Sequence, residues 1–153
     1  MKKSWSLAIL KNTFEGTPWF GDSVMDVLDD IAAEQAVDPA QGKSIDTLVR
    51  HMLAWREFAL QRFLGNHTYD LEVNSDADWH KIPNSDPSLW PVLLDKLREN
   101  QEALVAAVDS FPEEMLGEIV PGKSYRFIDL LSGVVQHDIY HLGQIGLLRR
   151  QYA

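Results

Sequence analysis

The chain has 153 residues, 45% of them hydrophobic, with 14 basic and 23 acidic side chains, a formal net charge of −9 and no cysteine. That length suits a single domain over residues 1–153 with a core that needs no staples, and the missing cysteine removes disulfides, thiolate ligands, a thiol nucleophile and zinc-finger chemistry together. No lysine–arginine cluster breaks the acidic balance, which argues against a nucleic-acid partner, and no apolar run approaches the roughly 18 residues of a membrane span. The opening "MKKSWSLAILKNTFEG" is too interrupted for a signal peptide, so a cytoplasmic location is expected.

In chain order, Leu7, Leu10 and Phe14 mark a first short helix that Gly16 stops, and Pro18 suits the start of another turn. Val24, Val27, Leu28 and Ile31 continue the helical period as far as "AEQA", so the first arm is expected to be interrupted or kinked around Gly16–Gly21. "DPAQGK" reads as a loop and Ser44 as the N-cap of a helix from Ile45 to Leu64. Its apolar stripe is Ile45, Leu48, Met52, Trp55, Phe58 or Ala59, and Phe63, with Asp46, Arg50, Glu57 and Gln61 opposite on a solvated face. His51 falls in that stripe rather than among the charges. Gly65 ends the helix, and residues 66–86 carry no clean period; so long a connection either crosses a fold or shapes a site.

Asp86 and Pro87 read as the start of a third long helix bearing Trp90, Leu93, Leu94, Leu97, Leu104, Val108 and Phe111, with Gln101 inside its stripe. After "FPEEMLGEIVPGKS", Ser124 is expected to cap a last helix running to about Arg150. No strand period competes. The pattern predicts an all-α protein, a four-helix bundle with a long crossover connection between its second and third principal helices.

The chemistry concentrates in "HDIYHLGQIGLL" on the last helix. Four residues turn a helix by about 400°, so His137 and His141 stand nearly one above the other. Steps of three and four from Phe127 give Leu130, Val134, His137, His141, Gln144 and Leu148, an apolar stripe with three polar residues in its middle. Burying such groups without partners costs about 2–7 kcal/mol each, and a metal ion is one partner that would satisfy them. With His51 they make three imidazoles, which leave a fourth coordination position open, as catalytic sites do. Imidazoles suit zinc, nickel, copper and iron, and affinity alone does not choose among them; zinc or nickel is the expected ion. The alternative is a buried polar cluster in which the histidines bond one another and Gln144. Gln144 could hold a ligand histidine or a metal-bound water from behind, or simply pack. Asp138 stands where H-E-x-x-H peptidases carry glutamate, but it is a methylene shorter; it reads as a surface carboxylate or a support to a ligand. Trp55 lines a pocket or fills core, and His67 and His80 read as solvated.

The chain also resembles the DinB/YfiT-like superfamily of metal-binding four-helix bundles. "SIDTLVRHMLAWREFALQRFLG" is similar to that family's second helix, and "YRFIDLLSGVVQHDIYHLGQIGLLRR", with its H-x-x-x-H-x-G-Q-I run, to its last. "EGTPWFGDSVMDVLDDIAAEQA" is similar to the first helix of one branch. The resemblance implies that His51, His137 and His141 bind one divalent metal with water completing the shell, and that the protein is a homodimer. It implies a thiol S-transferase acting on a small molecule, with a low-molecular-weight thiol as co-substrate. A metal-dependent hydrolase using activated water, or a non-catalytic metal-binding stress-response module, are the alternatives.

Overall fold

Helical periodicity becomes six α-helices among the described residues (2–38, 43–80 and 86–152) of the computed structural model. Four are long: α1 (Lys3–Glu15), α4 (Ile45–Phe63), α5 (Leu89–Ser110) and α6 (Phe127–Arg149). Two are short: α2 (Val24–Asp29) and α3 (Ala33–Val37). An isolated antiparallel bridge, Ile119 to Arg126, is the nearest thing to a strand among the described residues. The protein is all-helical. The pattern of four principal helices needs one correction, because the expected continuation of the first arm is two separate helices.

Local chemistry explains those breaks. At the end of α1 the Asn12 side chain folds over the chain, accepting from the Thr17 amide at 2.8 Å and donating to the Thr17 carbonyl at 3.1 Å. A β-carbon at Gly16 would lie 2.2 Å from Asn12 Oδ1, so only glycine fits there. Ser23 then restarts the helix with a reciprocal box: Asp26 N–H donates to Ser23 Oγ at 3.2 Å, and Ser23 N–H donates to Asp26 Oδ2 at 3.1 Å. Ser44 is the N-cap of α4 as expected, but it spends its hydroxyl on the Asp46 and Thr47 side chains and not on a backbone amide. Two other expected caps are displaced: α5 is capped by Ser88 and not Asp86, and Ser124 lies outside α6, whose N-cap is Arg126 with Asp129 accepting from its amide at 3.0 Å. Of the two expected loops, residues 39–42 and 81–85 lie outside the described residues.

α1 packs on α5 and α6, and α4 packs on the same two helices. Each burial of a large apolar side chain contributes about 1.5–3 kcal/mol, and these side chains form two clusters. One gathers Phe14, Leu28, Leu48, Met52, Leu97 and Ile145 around α2 and α3. The other gathers Leu10, Ala59, Phe63, Leu104, Phe111 and Leu131 at the opposite end of the long helices. Between them lies a polar layer. Arg56, 1% exposed, donates to Asp138 on α6, to Gln101 on α5 and, at 3.2 Å, to Asn100 Oδ1, with its guanidinium over the Phe14 ring. Of the face expected to be solvated, Asp46 is buried, and so are two other charged residues of α4, Arg56 and Arg62.

Candidate metal centre

α4 and α6 pack against each other, and the site lies where His51 of one meets His137 and His141 of the other. The Nε2 atoms of His51 and His137 are 3.0 Å apart, and those of His137 and His141 are 3.1 Å apart. One ligand atom from each of the three residues falls within 4.8 Å of the others. His51 and His141 are buried and His137 is half-buried. Among the described residues no carboxylate joins the cluster.

The opposite ring nitrogens decide what these three can hold. His51 Nδ1 lies 2.7 Å from Asp78 Oδ1 and 3.1 Å from the Asp78 carbonyl. Both groups accept, so His51 carries its proton on Nδ1 and presents a bare lone pair at Nε2. His141 Nδ1 lies 2.7 Å from Gln144 Oε1, which places its proton there and bares its Nε2 as well. His137 Nε2, between the two, has at most one hydrogen to donate. At least one lone pair therefore faces another nitrogen with no hydrogen between them, an arrangement that a divalent cation relieves. The donor set fits a metal ion held by three imidazoles, two of them oriented from behind.

Electrostatics favour the same neutral form. Burial, reinforced by the nearby His141 and His51 rings, holds His137 down to about 3 from the usual 6.5, against the opposing pull of Asp78. Burial also lowers His141, with His51 and Lys43 acting the same way and the Gln144 bond and Asp78 opposing. Neutral imidazole is the form that binds metal.

Aromatic rings wall the cluster. Trp79 stacks on His51 with centroids 3.7 Å apart and planes at 5°, while Tyr140 sets its edge against His141 at 5.0 Å. Trp55 donates its indole N–H to Asp78 Oδ1 at 2.7 Å. A cleft of about 370 Å³ opens beside His137, lined chiefly by Trp55, Phe58, Tyr125, Leu130 and Val134. A larger cavity of about 720 Å³ lies between α4, α5 and the connection after α4, and it touches none of the three histidines.

His51, His137, His141 and Gln144 thus come together as the spacing predicts, and Trp55 lines the cleft. His67 and His80 are exposed, outside the cluster. Asp138 is neither on the surface nor against a histidine nitrogen; it is 1% exposed and paired with Arg56. The buried line of α6 runs Phe127, Leu131, Val134, Val135, Asp138, His141, Leu142 and Ile145, rotated from the stripe read in the sequence. Asp78 and Trp79 escaped the sequence reading because a loop has no period to betray them. The one signal was a tryptophan beside an acidic residue inside a connection too long to be idle.

A family model described as the DinB superfamily matches residues 21–145. The chain belongs to the DinB superfamily. Comparisons with curated proteins and with solved structures returned no match. The span shared with the DinB superfamily holds all three histidines together with Asp78, Trp79 and Gln144, and it leaves α1 outside.

Proposed function

We propose that this DinB-superfamily protein binds one divalent metal, zinc or nickel, through His51, His137 and His141, and transfers a low-molecular-weight thiol to a small electrophile. The observation that carries the reading is the convergence of three Nε2 atoms, two bared by acceptors behind them, at the edge of an apolar cleft. A bound divalent ion would supply Lewis acidity at its open position, lowering the pKa of a thiol that enters there. The chain's own residues do the rest. Asp78 and Gln144 fix the ring tautomers, Trp79 covers one face of the His51 ring, and Trp55, Phe58 and Leu130 receive the apolar part of the electrophile. In the transfer a sulfur–carbon bond forms, the carbon–leaving-group bond breaks, the leaving group takes the electron pair and the thiol proton passes to solvent.

Hydrolysis by metal-activated water is the second reading, since a divalent ion can ionise a bound water as it can a bound thiol. Neither nearby carboxylate is placed to assist it as a general base. Asp78 is already engaged with His51, Trp55 and the Asn74 amide, and Asp138 with Arg56. We further read the four long helices as the family bundle, with the connection after α4 as its crossover, and a homodimer as its assembly.

The test is conjugation of an added thiol to an activated aryl chloride, with and without metal. Turnover should require both, and should vanish in His137→Ala while helical circular dichroism persists. Ester or amide cleavage with metal alone, indifferent to thiol, would establish the hydrolase instead. Metal binding without either activity would leave the non-catalytic module.

A further inference from the structure

Lys43 stands just before α4, and its ammonium lies 3.7 Å from the centroid of the Trp79 ring. Trp79 is also 3.7 Å from the His51 ring and parallel to it. Two groups cannot occupy one face of an indole at that distance, so Trp79 is a plate with the imidazole on one side and the lysine on the other. Lys43 is exposed and makes no ion pair among the described residues, in a chain of net charge −9. Its charge is nonetheless felt at His141. An exposed ammonium over an indole face is held only weakly and can swing to a better partner. The two sides of the centre therefore differ: apolar cleft beside His137, cation beside Trp79 and His141.

We propose that Lys43 is a specificity-determining residue that binds a carboxylate of the incoming thiol, so that the co-substrate is a small anionic thiol and not a neutral one. The assignment rests on the transferase reading above. The thiol's sulfur takes the open side of the histidine cluster, its carboxylate reaches round the edge of Trp79 to Lys43, and the electrophile occupies the cleft next to His137. Trp79 serves as the resting place from which Lys43 is recruited.

The experiment uses the full chain loaded with cobalt(II), titrated in parallel with mercaptosuccinate and with 2-mercaptoethanol, reading the sulfur-to-cobalt absorption. Lys43→Gln should weaken mercaptosuccinate by about tenfold and leave 2-mercaptoethanol unchanged, as loss of one charge-assisted contact predicts. Lys43→Arg should restore most of the difference, and added salt should erode it in the wild type. Equal weakening of both thiols would show that Lys43 acts on the centre itself and would overturn the assignment, as would no change for either. If neither thiol alters the spectrum of the cobalt-loaded wild type, the transferase reading falls and this one with it. A failure confined to the Lys43 variants leaves that reading standing.

Discussion

Asp78 does for His51 what Gln144 does for His141: each accepts the Nδ1 proton and turns the far nitrogen toward the centre. Asp78 is itself fixed, since its second oxygen accepts from the Asn74 amide at 2.7 Å and its own amide donates to Ser75 Oγ at 3.2 Å. Asp78→Ala should therefore lower metal affinity by about 10–100-fold, measured by chelator competition, without loss of helical circular dichroism. The pH dependence of the metal-free protein belongs to the same scale. The folded chain holds His137 near 3, whereas an unfolded chain titrates near 6.5, so between those values the unfolded state binds a proton that the native state refuses. Stability should be full above about 6.5 and should decline as pH falls toward about 3. Urea midpoints across that window should fall less steeply in His137→Leu than in the wild type; parallel curves would contradict the assignment.

At the scale of elements, the polar layer spaces the helices that carry the three histidines. Along α4, Arg56 separates Met52 of one apolar cluster from Ala59 of the other; along α5, Asn100 and Gln101 separate Leu97 from Leu104; along α6, Asp138 separates Val135 from Leu142. Burial raises the Asp138 carboxyl above the usual range, against the pull of Arg56, and both Asp138 Oδ1 and Gln101 Nε2 lack a hydrogen-bond partner among the described residues. A layer satisfied this incompletely contributes more to register than to net stability. Removing one partner strands the other, so Arg56→Met should cost about 3–5 kcal/mol. The double replacement Arg56→Met, Asp138→Leu should recover most of that loss. Denaturant titration of the two variants checks the first two points. Chelator competition on the double variant then shows whether register between α4 and α6 matters to the metal: affinity should drop although stability has returned.

For the molecule as a whole, two apolar clusters that draw on all six helices supply the burial that holds the fold. Chelation should leave helical circular dichroism at room temperature intact. Metal in excess should raise the unfolding temperature by mass action, with about 2.7 kcal/mol of added stability at a free concentration 100 times the dissociation constant. Collapse of the helical signal on chelation would show the metal to be structural. No helix among the described residues is long and apolar enough to cross a membrane.

Helical class, the placing of three long helices and the inward facing of His51, His137 and His141 toward one cluster were legible in the sequence, because a period of 3.6 residues assigns faces without knowledge of the neighbours. The division of the first arm into α1, α2 and α3 was only half legible: Gly16 announced the first break, but nothing periodic marks the turn between Asp29 and Ala33. Tertiary structure decided the rest. It brought a loop carboxylate, Asp78, and a loop indole, Trp79, onto a histidine 27 residues earlier in the case of Asp78, through contacts that no local pattern encodes. It also put Arg56 and Asp138 in the interior, where charge alone would have placed both in water. The reason is that a buried charge is stable only against its particular partner, and partners 82 residues apart meet only once α4 and α6 have packed.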